Sequence, residues 1–296
     1  MTSRTRTSDR IVFNIIGYTL VTLTAIVCLI PFIMLISASF TSENWISFHG
    51  FGLWPGELSV NAYAKLFQAP IIVLNAYGVS IFITAVGTFF GLFINSMASY
   101  ALSRKDFLWR NKFALFFYFI TLINGGIVST YIVIVSWYHL KDTLFVLILP
   151  YLVNVFYLIV MRSFISAIPD SLGESAKIDG AGDFSVYTSI ILPLTKPALA
   201  TIGLFIALDY WNDWYNAMLY ISNTSLYPLQ YLLYNMLSAQ DAMSRISQLS
   251  GVFVANLPLQ SLKMAMACVA TGPILLVYPF VQKYFIRGIT IGAVKG

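Results

Sequence analysis

Long stretches without a charged residue constrain the fold of this chain more than any other feature of its sequence. Hydrophobic residues make up 58% of the 296 residues and charged residues only 10%, and the mean hydropathy is +0.79. A soluble domain carries about 25% charged residues, whereas a helix that crosses a membrane needs about 20 consecutive apolar residues. The sequence therefore predicts an all-α integral membrane protein.

Six charge-poor stretches are long enough to form membrane-spanning helices. The fifth begins at Pro197 and runs into Asp209 and Asp213 near its far end. A seventh span over Trp214–Gln240 is an alternative, but the polar residues in this stretch favour an outer segment with a short helix at Leu229–Leu237. The other five predicted spans are Ile16–Phe40, Ile72–Leu102, Phe113–Tyr138, Thr143–Met161 and Met264–Gln282.

The distribution of lysine and arginine predicts the orientation of these spans. With the N-terminus inside, the inner segments hold 13 of the 17 basic residues and the outer segments hold 4. Because inner segments are enriched in these residues, both termini are predicted to be cytoplasmic. The predicted single domain, residues 1–296, then has a cytoplasmic N-terminus (1–15), a six-helix core (16–286) and a cytoplasmic tail (287–296). The basic N-terminus precedes an apolar run without a small-residue cleavage site, which predicts a retained first span.

A charged and polar segment, Arg162–Lys196, separates the fourth and fifth predicted spans and falls on the cytoplasmic side. Ser171 and Glu174 have the spacing of a capping box, in which each side chain accepts a backbone N–H of the first helical turn. This pair, together with Pro169 just before it, predicts that a helix begins near Ser171.

Two glycines and a proline predict where that segment turns. Gly180 and Gly182 can each adopt the left-handed conformation that ends a helix. A second short helix is predicted over Asp183–Leu192, because Pro193 breaks a helix. The segment is therefore predicted to form a helix–turn–helix at the membrane face, a shape suited to docking on another protein.

The same segment resembles a motif of a known family. Its spacing matches the EAA…G…I-LP loop of the membrane subunits of ABC importers, with Ser175 where the family usually has alanine. The chain resembles the carbohydrate-uptake, maltose-type branch, and within it the permeases for oligosaccharides released from polysaccharides such as alginate. The residues that carry the resemblance are Glu174, Ser175, Ala176, Gly180, Ile190, Leu192 and Pro193.

The resemblance implies a function and a set of partners. The fold implied is the type I ABC importer transmembrane domain with six helices. The protein is expected to be a permease subunit that moves oligosaccharides, including uronate-containing ones, across the bacterial cytoplasmic (inner) membrane by alternating access. It is expected to pair with a second permease as a heterodimer, with two ATPase subunits and with an extracytoplasmic substrate-binding protein. The partner ATPases are expected to bind ATP and Mg, and no cofactor or metal is expected in this chain.

Two groups of site residues follow from these considerations. The ATPase-coupling residues implied by the resemblance are Ser171, Glu174, Ser175, Ala176, Lys177, Asp179 and Gly180.

The last five residues, Gly292–Gly296, resemble a tail that reaches the ATPase interface, with a frayed terminus as the alternative. The outer segment Ile221–Leu262 either contacts the binding protein or is a plain connecting loop.

A second candidate site is an acidic and aromatic cluster in the fifth span. Asp209 and Asp213 are four residues apart and are predicted to share one helical face. Carboxylates inside a membrane are costly and tend to face a cavity, although a belt of aromatic residues at the membrane interface is the alternative. The candidate substrate-pathway residues are Asp209, Tyr210, Trp211, Asn212 and Asp213, with Asn124 at a predicted Asn124-Gly125-Gly126 break in the third span. Further breaks are predicted at Pro150, Pro273 and Pro279.

Several functions are excluded or disfavoured by the sequence. The chain has no G-x-x-x-x-G-K-[ST] phosphate-binding motif, so it does not hydrolyse ATP by that route, and it has no cluster typical of a membrane enzyme. The basic residues are spread out, which excludes a nucleic-acid-binding face. The alternative is a stand-alone secondary sugar or ion transporter, which is typically built from internal repeats. Cys28 and Cys268 lie in apolar runs and are predicted to be small buried hydrophobic residues.

Overall fold

The computed structural model describes residues 3–68, 70–123, 125–250 and 260–275. The chain divides into two compact units, one formed by residues 1–70 with 235–272 and the other by residues 71–234 with 273–296. Helix dominates the described residues of both units, and the β-structure among them is an isolated bridge between Thr41 and Leu58.

The first unit begins with the long helix α1, Ser3–Ser39. Its apolar side chains are exposed along almost the whole length, as expected of a helix whose neighbour is lipid. Cys28 is exposed on this helix, so the prediction that Cys28 is buried was wrong. The reason is that lipid chains solvate an apolar side chain as well as a protein core does.

Three further helices of the first unit are held together near the end of α1. They are α2 (Glu43–His49), α3 (Asn61–Leu66) and a helix over residues 260–275. The carboxylate of Glu43 accepts hydrogen bonds from the backbone N–H groups of Gln260 and Ser261, at 3.0 and 2.8 Å. Because the first N–H groups of a helix have no partner within the helix, Glu43 caps the helix over residues 260–275 from a distant part of the sequence.

The second unit is organised around α4, Pro70–Ser103, a helix of 34 residues. Its buried face carries small or polar side chains at intervals of three or four residues, which allow neighbouring backbones to approach closely in a membrane. These include Ala76, Ser80, Gly87, Gly91, Asn95, Ser96 and Ser99.

The helices that surround α4 are short and interrupted. They are α5 (Arg110–Leu122), α6 (Gly126–Ile132, continued by a wider π turn Val133–Trp137), α7 (Leu144–Ile148, continued by a 3-10 turn Leu149–Tyr151), α8 (Val155–Ile165), α9 (Asp170–Ile178), α10 (Asp183–Val186, continued to Leu194), α11 (Lys196–Trp211) and α12 (Tyr215–Tyr220). The chain continues into α13, Leu229–Ser250, of which residues 235–250 belong to the first unit.

Polar side chains of α4 fasten the interrupted helices to it. The amide of Asn95 donates to the carbonyl of Leu152 at 2.8 Å, and its carbonyl accepts the N–H of Asn154 at 3.3 Å. Ser99 donates to the carbonyl of Leu158 at 2.8 Å. The two bonds of Asn95 satisfy backbone groups at the break between α7 and α8, which is the condition for irregular backbone within a membrane.

Two helices among the described residues are long and apolar enough to cross a membrane, Asp9–Ser39 and Pro70–Ser103. The count rises to five if each of three bent helix pairs is taken as one span. The breaks predicted at Gly125-Gly126 and near Pro150 are confirmed, because helices end on either side of both. Residues 276–282 of the sixth predicted span, and Pro279 with them, lie outside the described residues.

The segment after α12 differs from the prediction. A short helix was predicted at Leu229–Leu237, whereas α13 runs for 22 residues to Ser250. The sequence from Leu229 to Ser250 contains neither glycine nor proline, so no strong helix breaker stops it. The polar residues of this segment led to the prediction of a shorter helix, but polar residues do not prevent a helix from forming.

Candidate functional site

The helix α9 begins one residue earlier than predicted and without the predicted cap. Pro169 occupies the position before the helix, and no side chain accepts a hydrogen bond from the first turn there. Ser171 already lies within that turn, so the capping box of Ser171 and Glu174 was wrong. Asp170, the first helical residue, instead places a negative charge at the positive end of the helix dipole.

The turn after α9 is built on Gly180. Its φ of +89° is in the left-handed region, and the N–H of Ala181 donates to the carbonyl of Ala176 at 2.9 Å. The prediction for Gly180 is therefore confirmed. Gly182 has φ −73° and ψ 163° at the start of α10, so the left-handed conformation predicted for it was wrong.

The second helix of this hairpin extends past its predicted end. The helical backbone that begins at Asp183 continues through a π turn at Tyr187–Ile191 to Leu194, so Pro193 does not break it. The chain bends by 84° between this helix and the helical stretch Lys196–Tyr220, which begins with α11. The hydroxyl of Thr195, at the bend, donates to the carbonyl of Ile191 at 2.8 Å. Residues 170–194 are called the coupling hairpin below.

The coupling hairpin has an inner and an outer face. Ala176 packs against the buried cluster formed by α8, α10 and α11. Glu174 and Ser175 are exposed on α9, as is Asp179 directly after it, and so is the apolar side chain of Ile178, at 87% of its surface. The outer face of α9 therefore carries an exposed apolar side chain among exposed polar ones.

A closed ring of four alternating charges joins the hairpin to the loop after α4. Arg104 pairs with Asp106 and Asp183, and Lys177 pairs with the same two carboxylates at 3.2 and 3.0 Å. Hydrogen bonds from Arg104 lower the pKa of Asp106 well below its usual range, and hydrogen bonds first from Lys177 and then from Arg104 lower the pKa of Asp183. All four groups are therefore charged at neutral pH. Arg104, Asp106, Lys177 and Asp183 are called the charge ring.

Neighbouring contacts extend the charge ring in two directions. Lys105 pairs with Asp170, at the start of α9, at 2.7 Å. Arg104 also donates to the hydroxyl of Tyr100 at 3.1 Å. The ring of Tyr100 lies 5.5 Å from that of Tyr187 on the hairpin, so the ionic contact continues into the packed interior beside α4.

Sequence reasoning identified Lys177 but missed the other three members of the charge ring. Arg104 was used only in counting basic residues, Asp183 was used only as a helix start, and Asp106 was not used. The run Arg104-Lys105-Asp106 at the end of a predicted span was a usable signal, because three adjacent charges at a membrane face need partners or water. Their pairing with residues about 70 positions away is not encoded in any local pattern.

The acidic cluster near the end of α11 lines a cavity of about 260 Å³. Predicted residues Asp209, Asn212 and Asp213 lie on its wall, together with Tyr151, Trp214 and Tyr215. The hydroxyl of Tyr157 donates to Asp209 at 2.8 Å. This group of carboxylates, amide and aromatic rings is called the polar pocket. Sequence reasoning did not select Tyr151 and Tyr157, which lie on other helices.

The two carboxylates reach the pocket by a different route from the one predicted. The helix α11 ends at Trp211, so Asp209 and Asp213 do not share a helical face. Asp213 follows the helix and accepts the N–H of Asn216 at 3.0 Å, at the start of α12. The Trp-Asn-Asp sequence therefore makes a turn whose backbone needs the Asp213 side chain.

The remaining predicted pathway residues have other positions. Tyr210 is fully buried, and its hydroxyl donates to the carbonyl of Ile148 at 2.7 Å. Trp211 is also buried. Both side chains therefore pack inside the unit and do not line the polar pocket. Asn124 lies outside the described residues.

Comparisons with known proteins agree with these features. The chain is 39% identical over 284 residues, 96% of this chain and 98% of the relative, to the polygalacturonan/rhamnogalacturonan transport system permease protein YtcP of Bacillus subtilis (strain 168). It is 28% identical, with a TM-score of 0.80, to a chain in the crystal structure of a bacterial ABC transporter involved in the import of the acidic polysaccharide alginate, covering 96% of this chain and 99% of that chain. No protein-family model matches the chain.

A further solved structure shows the same fold at lower identity. It is a crystal structure of a bacterial alginate ABC transporter in complex with an alginate pentasaccharide-bound periplasmic protein. The matched chain is 17% identical with a TM-score of 0.58, and the match covers 92% of this chain and 94% of that chain.

The helical fold, the long apolar helices and the charged hairpin define this chain as the membrane subunit of a transporter. It belongs to the family of sugar-transport permeases of ABC importers. The predicted resemblance is confirmed, and the alternative of a stand-alone secondary transporter was wrong. Permease subunits of this family are proteins of the cytoplasmic membrane and are not enzymes, because a separate subunit hydrolyses ATP. Among the described residues, no group of three or more His, Cys, Asp or Glu side chains is placed to hold a metal ion.

Proposed function

We propose that this permease imports oligosaccharides that contain uronic acids, and that the coupling hairpin is its contact with an ATPase subunit. The substrate class is supported by the names of two relatives: one concerns polygalacturonan and rhamnogalacturonan, the other the acidic polysaccharide alginate. Galacturonan and alginate are both built from uronic acids. The full assembly contains a second permease, two ATPase subunits that bind ATP and Mg, and an extracytoplasmic substrate-binding protein.

The proposed topology follows the charge distribution of the sequence. The single domain of six spans, with both termini in the cytoplasm, places the coupling hairpin on the side where ATP is available. The loop between α4 and α5 lies on the same side, which is consistent with the ion pairs that join it to the hairpin. An outer position for one of these two loops would separate the paired charges across the membrane.

The observation that carries the ATPase contact is the exposed outer face of α9. Ile178 projects into solvent beside the exposed Glu174, Ser175 and Asp179. Covering such an apolar side chain removes apolar surface from water, which favours association. The rest of the hairpin is anchored to the core through Ala176 and to the preceding loop through the charge ring. The hairpin therefore presents a rigid surface with an apolar centre and a polar rim.

Changing Ile178 tests this contact. We expect Ile178→Asp to reduce the amount of ATPase subunit that co-purifies with the tagged permease, because a charge would be buried at the interface. Leu108→Asp is the matched control, since Leu108 is 94% exposed in the loop between α4 and α5. Equal recovery of ATPase with both variants would contradict docking through α9.

The polar pocket is proposed to line the sugar pathway. Tyr151, Trp214 and Tyr215 offer aromatic faces, and Asp209 and Asp213 offer acceptors for sugar hydroxyls. The negative charges of Asp209 and Asp213 would repel a uronate carboxylate in direct contact with them. The sugar hydroxyls are therefore the part of the substrate proposed to contact these two side chains.

The substrate class is tested with the reconstituted complex and its binding protein. We expect galacturonate and alginate oligosaccharides to stimulate ATP hydrolysis, and neutral gluco-oligosaccharides of equal length to have little effect. The Asp209→Asn variant should raise the substrate concentration needed for half-maximal transport. Stimulation by neutral oligosaccharides alone would overturn the proposed substrate class and leave the family assignment intact.

A further inference from the structure

The coupling hairpin is joined along the chain to α8 and α11, but its ionic contacts are with neither. Three ion pairs link the segment Arg104–Asp106 with the hairpin, a fourth lies within that segment, and a fifth, between Lys177 and Asp183, lies within the hairpin. This segment directly follows α4, whose Asn95 and Ser99 hydrogen-bond to residues at and beyond the break between α7 and α8. The contacts therefore connect the hairpin to a helix that lies about 70 residues earlier in the sequence.

The contact between this segment and the hairpin depends on charge more than on apolar packing. Two cavities, of about 410 and 240 Å³, lie beside the charge ring, and Arg104 and Asp106 line both. Each of the two cations, Arg104 and Lys177, pairs with both carboxylates, Asp106 and Asp183. Single exposed ion pairs contribute little to stability, but the ring cannot lose one member without leaving two charges short of a partner.

A second set of contacts continues from the charge ring into α4. Arg104 contacts the hydroxyl of Tyr100. On the next turn of α4, the hydroxyl of Ser96 lies 2.7 Å from that of Tyr187, a buried residue of the hairpin. The cytoplasmic end of α4 and the hairpin therefore share one ionic and one buried hydrogen-bonded link.

We propose that the charge ring is a mechanical link that makes the coupling hairpin and the cytoplasmic end of α4 move as one body during transport. A displacement that an ATPase imposes on α9 then reaches α4 directly, in addition to α8 and α11. Arg104, Asp106, Lys177 and Asp183 are positioning residues in this scheme, because they transmit movement and contact neither substrate nor nucleotide. The inference rests on the proposed docking of the hairpin.

Removing one charge tests the link. In the complete importer we expect Arg104→Met, in the segment after α4 and outside α9, to leave ATPase association and ATP hydrolysis near normal, while the sugar transported per ATP falls several-fold. Arg104→Lys should retain coupling, because it keeps the charge. Lys196→Met is the matched control, since Lys196 begins α11 and makes no ion pair among the described residues. Unchanged transport per ATP in Arg104→Met would overturn the inference.

A covalent replacement of the ionic contact gives a sharper test. In a background with Cys28→Ser and Cys268→Ser, the pair Asp106→Cys and Lys177→Cys removes two ring charges and should be uncoupled when reduced. A short reducible bis-thiosulfonate linker between the two cysteines should restore transport per ATP, and reductant should abolish the gain. Each single-cysteine variant treated with the linker controls for modification alone.

The outcomes separate this inference from the proposed docking. If linked complexes retain their ATPase subunits but transport no better than reduced ones, the two segments must separate during the cycle and the inference is wrong. If the starting protein recovers no ATPase, and Ile178→Asp changes nothing, the proposed docking fails instead.

Discussion

The aromatic ring of Tyr210 occupies the space that a side chain on Gly87 would need. A Cβ atom at Gly87 would lie 2.3 Å from Cζ of Tyr210, far inside van der Waals contact. The tyrosine is held there by the hydrogen bond of its hydroxyl to the carbonyl of Ile148. This contact fixes the separation of α4 and α11, and it explains why a tyrosine predicted to face substrate is a packing residue.

We expect Gly87→Ala to destabilise the protein by about 1–3 kcal/mol, the usual cost of overpacking a tight core. Gly78→Ala is the control, because a Cβ at Gly78 of the same helix meets no atom within 4 Å. The measurement is the thermal unfolding midpoint of the purified complex in detergent. Equal midpoints for the two variants would show that Tyr210 can move aside.

Asn95 supports the break between α7 and α8, so its loss should be costly. Its side chain contacts the carbonyls of Gly91 and Leu152 and the N–H of Asn154. We expect Asn95→Ala to lower stability by about 1–2 kcal/mol, toward the upper range for hydrogen bonds between membrane helices. Asn212→Ala removes an amide that bonds only within its own helix turn, to the carbonyl of Leu208, and should have a smaller effect in the same unfolding assay.

Replacing Gly180 should strain the turn of the coupling hairpin. A left-handed residue with a Cβ costs about 1–2 kcal/mol, so Gly180→Ala should weaken the hydrogen bond from Ala181 to Ala176. Gly182→Ala is the control, since the φ of Gly182 is −73°. Hydrogen–deuterium exchange at Ala181 measures the effect. Similar exchange in the two variants would argue against the positive φ at Gly180 in the assembled importer.

Asp142 should hold the start of the segment after α12. Its carboxylate accepts the N–H groups of Ser222 and Asn223, at 2.5 and 2.8 Å, and these bonds lower the pKa of Asp142. Because the folded pKa is the lower one, the contribution is present above the unfolded value of about 3.9 and is lost as pH falls through the folded value.

The corresponding experiment compares Asp142→Ala with Asp142→Asn at pH 7. We expect faster hydrogen–deuterium exchange at Ser222 and Asn223 in Asp142→Ala, and an intermediate rate in Asp142→Asn, which keeps one acceptor and tolerates the positive φ of this position. The unchanged protein should show no protonation-linked loosening between pH 5 and 8. A loss of protection within that range would contradict a depressed pKa.

The sequence predicted the apolar helices, the break at Gly125-Gly126 and the place of the hairpin, because each depends on local composition. It failed where distant residues decide the structure. The cap at Ser171 was wrong because Pro169 moved the helix start by one residue. Asp209 and Asp213 were predicted to share one helical face, but α11 ends at Trp211. The sequence does not show this end, because the turn at Asn212 depends on contacts with the start of α12.

The polar pocket shows the same division. Its carboxylates were predicted because a charged side chain in a membrane is costly. Tyr151 and Tyr157 were not predicted, since they belong to helices that meet α11 only after folding. The charge ring is the extreme case, because each of its pairs between loop and hairpin joins residues more than 70 positions apart.

The charge ring also means that the same side chains serve two purposes at two times. In the proposed topology, Arg104 and Lys177 are cations that help retain their loops on the cytoplasmic side while the chain is inserted, and the acids have little influence on that choice. Once the hairpin closes, the four charges sum to zero, so the ring then presents no net positive charge at the membrane face.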